Sequence, residues 1–179
     1  MPASESAPFV IENGQGLNNA NTFVSVEYAD AYVATYGNDS LWLASSAAEK
    51  RDALRQASRW LSMRHRFYGE TVRIDQALAF PRFGLFDENG FFVTHETVPL
   101  RVQEATVVVA IAIRNNTFAP FPAEPAESNV TSESISVGPI SLSTGYAGAR
   151  TTGIETQLPL VRQLLRPFLL PTQPRVTRG

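Results

Sequence analysis

The sequence predicts a mainly α fold: a small helical bundle with a short β-strand or hairpin element and extended N- and C-terminal arms. Ser46-Ala-Ala-Glu49 is a capping box, and apolar residues after it recur at helical spacing. A second stretch opens at Pro99, is apolar on most sides and runs to about Asn115. Between residues 117 and 157 this spacing gives way to Pro, Gly, Ser and Thr with short apolar alternations. With 179 residues, 44% of them hydrophobic, the chain is long enough for one core and too apolar to be wholly disordered.

Residues 1–21 form an N-terminal arm, either flexible or an edge strand at Phe9-Val10-Ile11-Glu12 followed by a Gly/Asn-rich turn. Ser25 caps a short helix through Tyr36, with Glu27 and Asp30 in its first turns and Gly37 as its stop. The capping-box helix runs to about Arg66. Ala53, Leu54, Ala57, Trp60 and Leu61 form its apolar face, and Arg51, Arg55 and Arg59 line the opposite one. Residues 67–97 are irregular, broken by Pro81 and Gly84, with a turn signal at Asp87-Glu88-Asn89-Gly90. Phe80, Phe83, Phe86, Phe91 and Phe92 are expected to pin this loop to the core. Aromatic loops also serve as stacking platforms for bases, but Arg82 is the one base interleaved here.

Thr97 or Val98 caps the next helix, with Pro99 in its first turn. Its run Val-Val-Val-Ala-Ile-Ala-Ile is β-branched, yet the flanking residues do not alternate, so a central helix is predicted over a strand. Ile135 and Val137, then Ile140 and Leu142, alternate with polar residues around Gly138-Pro139, predicting two short strands or one kinked strand. Residues 158–169 repeat as an amphipathic helix that Pro167 ends or kinks. The domain layout is therefore a helical core over 22–116, an extended loop and β element over 117–157, and a C-terminal helix and tail over 158–179.

The net charge is −2, but it is distributed in blocks: −5 over residues 1–44, +4 over 45–73, −5 over 74–146 and +4 over 147–179. Such a balance argues against broad coating of nucleic acid, which depends on neutralising phosphates. It suits pairing of unlike surfaces between neighbouring subunits. Three like charges in one helical row repel one another. Arg51, Arg55 and Arg59 therefore face a channel, an acidic neighbour or phosphates, or else form a solvated face with Glu49 and Asp52 beside them.

Cysteine is absent and there are two histidines, so thiolate metal sites and Cys nucleophiles are excluded and a His-based metal site has little to draw on. No phosphate-binding glycine loop, zinc-protease, nucleophile-elbow or calcium-loop motif is present. His65 is explained by its place at a helix end. His95 beside Glu96 is an acid–base pair in composition only, since adjacent loop residues rarely face each other. The expectation is a protein that is not an enzyme, with no cofactor, no metal and no membrane span. No basic n-region or long apolar core opens the chain, so it is expected to be made and kept in a cytoplasm-like compartment.

The ordered series ANTFVSVEYADAYVATYG, AAEKRDALRQASRWL, DQALAFPR and VPLRVQEATVVVAIAI, continued by VGPISL and LLRPFL, resembles a tailed-phage family. Its members carry the label DnaT-like single-stranded-DNA-binding protein and look like head–tail adaptor (connector) proteins. The family pattern has Trp-Pro-Arg where this chain has Phe80-Pro81-Arg82, and acidic and Tyr residues where it reads SLSTGY. The resemblance implies a structural virion protein, a ring commonly of twelve copies beneath the portal. Its partners would be the portal protein, a stopper or tail-completion protein, further copies of itself, and genome DNA passing through the channel. Its place would be the neck of the virion, after assembly in the host cytoplasm. The alternative is a single-stranded-DNA-binding or replication-accessory protein. Arg51, Arg55 and Arg59 are candidates for a channel or inter-subunit surface. Val161, Leu164, Leu165, Phe168 and Leu169 are candidates for partner docking, with deletion of residues 155–179 expected to leave the helical domain folded.

Overall fold

The computed structural model describes residues 8–37, 39–121 and 158–170. The fold is mainly α, as the periodicity predicts. Its helices are α1 (Val26–Tyr36), α2 (Ser40–Ala44), α3 (Ala47–Arg64), α4 (Leu100–Arg114) and α5 (Pro159–Leu165), the last continued by a 3-10 turn over Arg166–Phe168. Four two-residue strands lie between α3 and α4: β1 (Glu70–Thr71), β2 (Arg82–Phe83), β3 (Leu85–Phe86) and β4 (Phe92–Val93).

The capping box forms as its sequence dictates. The Ser46 hydroxyl accepts from Glu49 N at 3.3 Å, and the Glu49 carboxylate accepts from Ser46 N at 2.9 Å. The face predicted for α3 is buried at Ala53, Leu54, Ala57, Trp60 and Leu61. It packs along α4, which α5 covers on another side. That position explains why α4 is apolar nearly all round: Val102, Ala105, Thr106, Val107, Val109, Ala110 and Ala112 are all buried. Thr106 is tolerated there because its hydroxyl donates to the Val102 carbonyl at 2.8 Å. Pro99 stands at the N-cap position with no side-chain cap, one step outside the first turn.

Sequence periodicity misses α2, which is too short to show any. Asp39 caps it, accepting from Trp42 N at 2.7 Å. Trp42 has no exposed surface, and its indole donates to Asp30 Oδ1 at 2.8 Å. Lys50, the chain's one lysine, is 8% exposed, lies 2.9 Å from the same Asp30 oxygen and stands 5.7 Å from the Trp42 ring centroid.

The N-terminal segment is tied down from Pro8 onward. Ile11 and Thr22 form a parallel bridge, and buried Glu12 accepts from the backbone N–H groups of Gly14, Gly16 and Leu17 at 2.8–2.9 Å. Gly14 has φ +96°, and a Cβ there would fall 1.7 Å from the Glu96 carbonyl oxygen. Phe23 N donates to buried Ser58 Oγ at 3.1 Å, fastening this segment to α3. Within the described residues it is a strap across the bundle, held by polar contacts that hydropathy patterns do not register.

The β elements lie in residues 70–93, the stretch predicted to be irregular. The alternating residues Ile135, Val137, Ile140 and Leu142 lie outside the described residues. β1 pairs antiparallel with β2, and β3 with β4. Strands of two residues carry too few positions for alternation to appear in the sequence.

Candidate nucleic-acid interface

Phe80-Pro81-Arg82 organises the segment that presents the site. Phe80 has no exposed surface and meets the rings of Phe23, Phe67 and Phe168. Arg82 directs its guanidinium into the backbone, donating to the carbonyls of Tyr68 (2.7 Å), Gly69 (2.6 Å), Ala79 (3.2 Å) and Phe67 (3.4 Å). Burial holds its pKa below the ordinary arginine value. The motif therefore builds the loop. Gly69, at φ +71°, is required beside it, since a Cβ would lie 2.0 Å from the Phe83 carbonyl oxygen.

The other four phenylalanines depart from expectation. Phe80 alone enters the core; Phe83, Phe86, Phe91 and Phe92 are exposed. The reason is the β3–β4 hairpin. Leu85, 1% exposed, roots the ribbon, and the strand pleat turns its neighbour Phe86 outward. The register sets Phe86 opposite Phe92, with ring centroids 6.0 Å apart in an edge-to-face arrangement. Asp87 closes the turn, its Oδ1 accepting from Asn89 N at 2.9 Å and Phe91 N at 2.8 Å. Phe91, at the tip, is 71% exposed. At the hairpin's base Phe83 lies against His95, centroids 4.1 Å apart. No hydrogen bond or ion pair joins His95 to Glu96 among the described residues.

Cations stand at one side of this ribbon. Arg101, in the first turn of α4, pairs with Glu88 of the hairpin turn. The hydrogen bond from Arg101 holds the Glu88 carboxyl below its ordinary range, and Arg166 adds to the effect. Arg166 belongs to the 3-10 turn packed against β3 and is exposed.

A family model with the description "Putative DnaT-like ssDNA binding protein" matches residues 7–179. The chain belongs to this family. No curated protein and no solved structure is significantly similar to it. The family match covers nearly the whole chain, including the hairpin, the first turn of α4 with Arg101 and the 3-10 turn with Arg166.

The residues singled out from the sequence of this family member are placed as follows. Arg51 and Arg55 do not form an open row with Arg59. Their guanidinium carbons lie 5.9 and 5.7 Å from the centroid of the Phe9 ring, which they clasp. Arg55 also pairs with Asp52 at 3.0 Å, and Arg59 is exposed. Asp52 and the face of the Phe9 ring offset part of the repulsion between Arg51 and Arg55. Val161, Leu165 and Phe168 are 2%, 0% and 3% exposed and belong to the core; Leu164 and Leu169 are half-buried against it. The stripe read as a docking face covers α4 instead, because α4 has an apolar side that α3 leaves open. Among the described residues no group of three His, Asp or Glu gathers as a metal site, and no helix is long and apolar enough to cross a membrane.

Proposed function

We propose that the chain binds single-stranded DNA and that the β3–β4 hairpin is its contact surface. The observation that carries this reading is the outward display of Phe86, Phe91 and Phe92 on a rooted ribbon. Exposed aromatic faces cost solvation unless something covers them, and every base offers a π-face to stack on them. Membership of the family supports the same ligand. Arg101, in its pair with Glu88, and Arg166 stand beside the rings, while the overall charge of −2 limits non-specific coating of duplex.

The test is fluorescence anisotropy with a labelled oligo-dT strand and a duplex control at low salt. Stacking is worth about 1–3 kcal/mol per base, so replacing Phe86, Phe91 and Phe92 together by Ala lowers affinity at least about tenfold. The triple variant keeps its helical circular dichroism, since none of the three is buried. Full affinity in that variant removes the hairpin from the site, and no binding by the wild type removes the function.

The second reading is the head–tail adaptor: a ring of about twelve copies between portal and stopper in the virion neck, with genome DNA passing through. What favours it is that the same exposed rings suit a protein partner, and that Arg82 and Arg101 are already engaged within the chain. Mass photometry of the purified protein, alone and with portal protein, separates the two. A stable ring without affinity for DNA selects the adaptor.

A further inference from the structure

The hairpin turn sets an acid in the middle of the surface assigned to nucleic acid. Glu88 lies between Phe86 and Phe91 in sequence and accepts a charge-assisted hydrogen bond from Arg101. Arg166, on the 3-10 turn against β3, acts on the same carboxylate. A strand stacked on the Phe86–Phe92 pair carries its phosphates past this turn, and among the described residues the cations that act on Glu88 there are these two. A carboxylate and a phosphate are both acceptors for a guanidinium fork, and one excludes the other. Both members of the pair are solvent-accessible, with side chains 37% and 55% exposed. The pair is therefore held weakly enough to exchange.

We infer that Glu88 stands in for a backbone phosphate on Arg101, so that a bound single strand displaces it and Glu88 sets the affinity of the platform. This rests on the single-stranded-DNA reading of the same hairpin. The ligand class it specifies is a phosphodiester strand held mainly by base stacking, with one arginine released to it on binding. Such binding has a shallow salt dependence in the wild type, because displacement of Glu88 offsets the gain of the phosphate contact.

The experiment measures oligo-dT affinity by anisotropy between about 50 and about 200 mM salt for the wild type, Glu88→Gln, Arg101→Ala and the double variant. Glu88→Gln frees Arg101 without altering the turn, whose closing contacts come from Asp87. It is expected to bind about threefold tighter at low salt, within the range that an exposed pair supports. Its slope of log K against log salt steepens by about 0.7, the increment for one further phosphate on a single strand. Arg101→Ala abolishes both changes in the double variant. Equal affinity and slope for Glu88→Gln and wild type overturn the inference while the wild type's own binding leaves the function standing. A gain that persists in the Arg101→Ala background also overturns it, since general removal of negative charge then accounts for the effect. Failure of the wild type to bind at any salt overturns both.

Discussion

Phe80 and Arg82 illustrate how a short motif determines a surface without touching what binds there. Three ring contacts place Phe80 where Phe23, Phe67 and Phe168 converge, at centroid distances of 6.2, 4.7 and 6.0 Å. Phe80→Ala should lower unfolding free energy by about 3–5 kcal/mol, read as a reduced urea midpoint, because the rigid walls around it cannot close on the vacancy. Arg82→Lys should also destabilise, since one ammonium cannot reach the carbonyls that the fork spans. The exposed acids make a separate prediction. Hydrogen bonds from Ser46 and then the Arg114 charge lower Glu49, an arginine partner lowers Asp75 and Glu88, and the helix terminus with Ser25 lowers Glu27. A carboxylate with a lowered folded pKa stabilises fully above its unfolded value of roughly 4.3, and that contribution fades as pH falls through the folded value. Melting temperature should therefore hold from neutral pH down to about pH 5 and decline below it. Glu49→Gln should flatten the decline.

The helices with long periodic stretches were legible in the sequence, and the elements that carry the candidate site were not. α3 announces itself by a capping box, and five apolar residues on one face already fix which side is buried. α4 was recognisable as central because it lacks a polar face. The hairpin escaped because aromatic content alone cannot distinguish a ring that enters the core from one that a two-residue pleat turns outward. Leu85 in and Phe86 out is a statement about register, and register comes from the Asp87 turn and the Gly84 break together. The arginine row was visible, but its partner Phe9 lies some forty residues earlier in a segment with no periodicity at all. Pairing across such a distance is a property of the packed chain.

At the scale of the whole molecule, α5 and its 3-10 turn are structural members of the bundle. Val161, Leu165 and Phe168 are each worth about 1.5–3 kcal/mol of burial, against a total stability of about 5–15 kcal/mol for a domain. Deletion of residues 155–179 should therefore abolish the cooperative thermal transition, contrary to the independence of the helical domain that the sequence suggests. Calorimetry of the truncated chain decides this: an intact sharp transition means that α3 and α4 suffice alone. The same packing couples the C-terminal segment to the aromatic ribbon, since the 3-10 turn that buries Phe168 also carries Arg166 to β3. Lys50 has a last, practical effect. Held under Trp42 and against Asp30, it withholds the chain's one ε-ammonium from reagents in solution. Succinimidyl dyes and amine-coupled sensor surfaces therefore find this side chain closed to them for as long as the bundle stays folded.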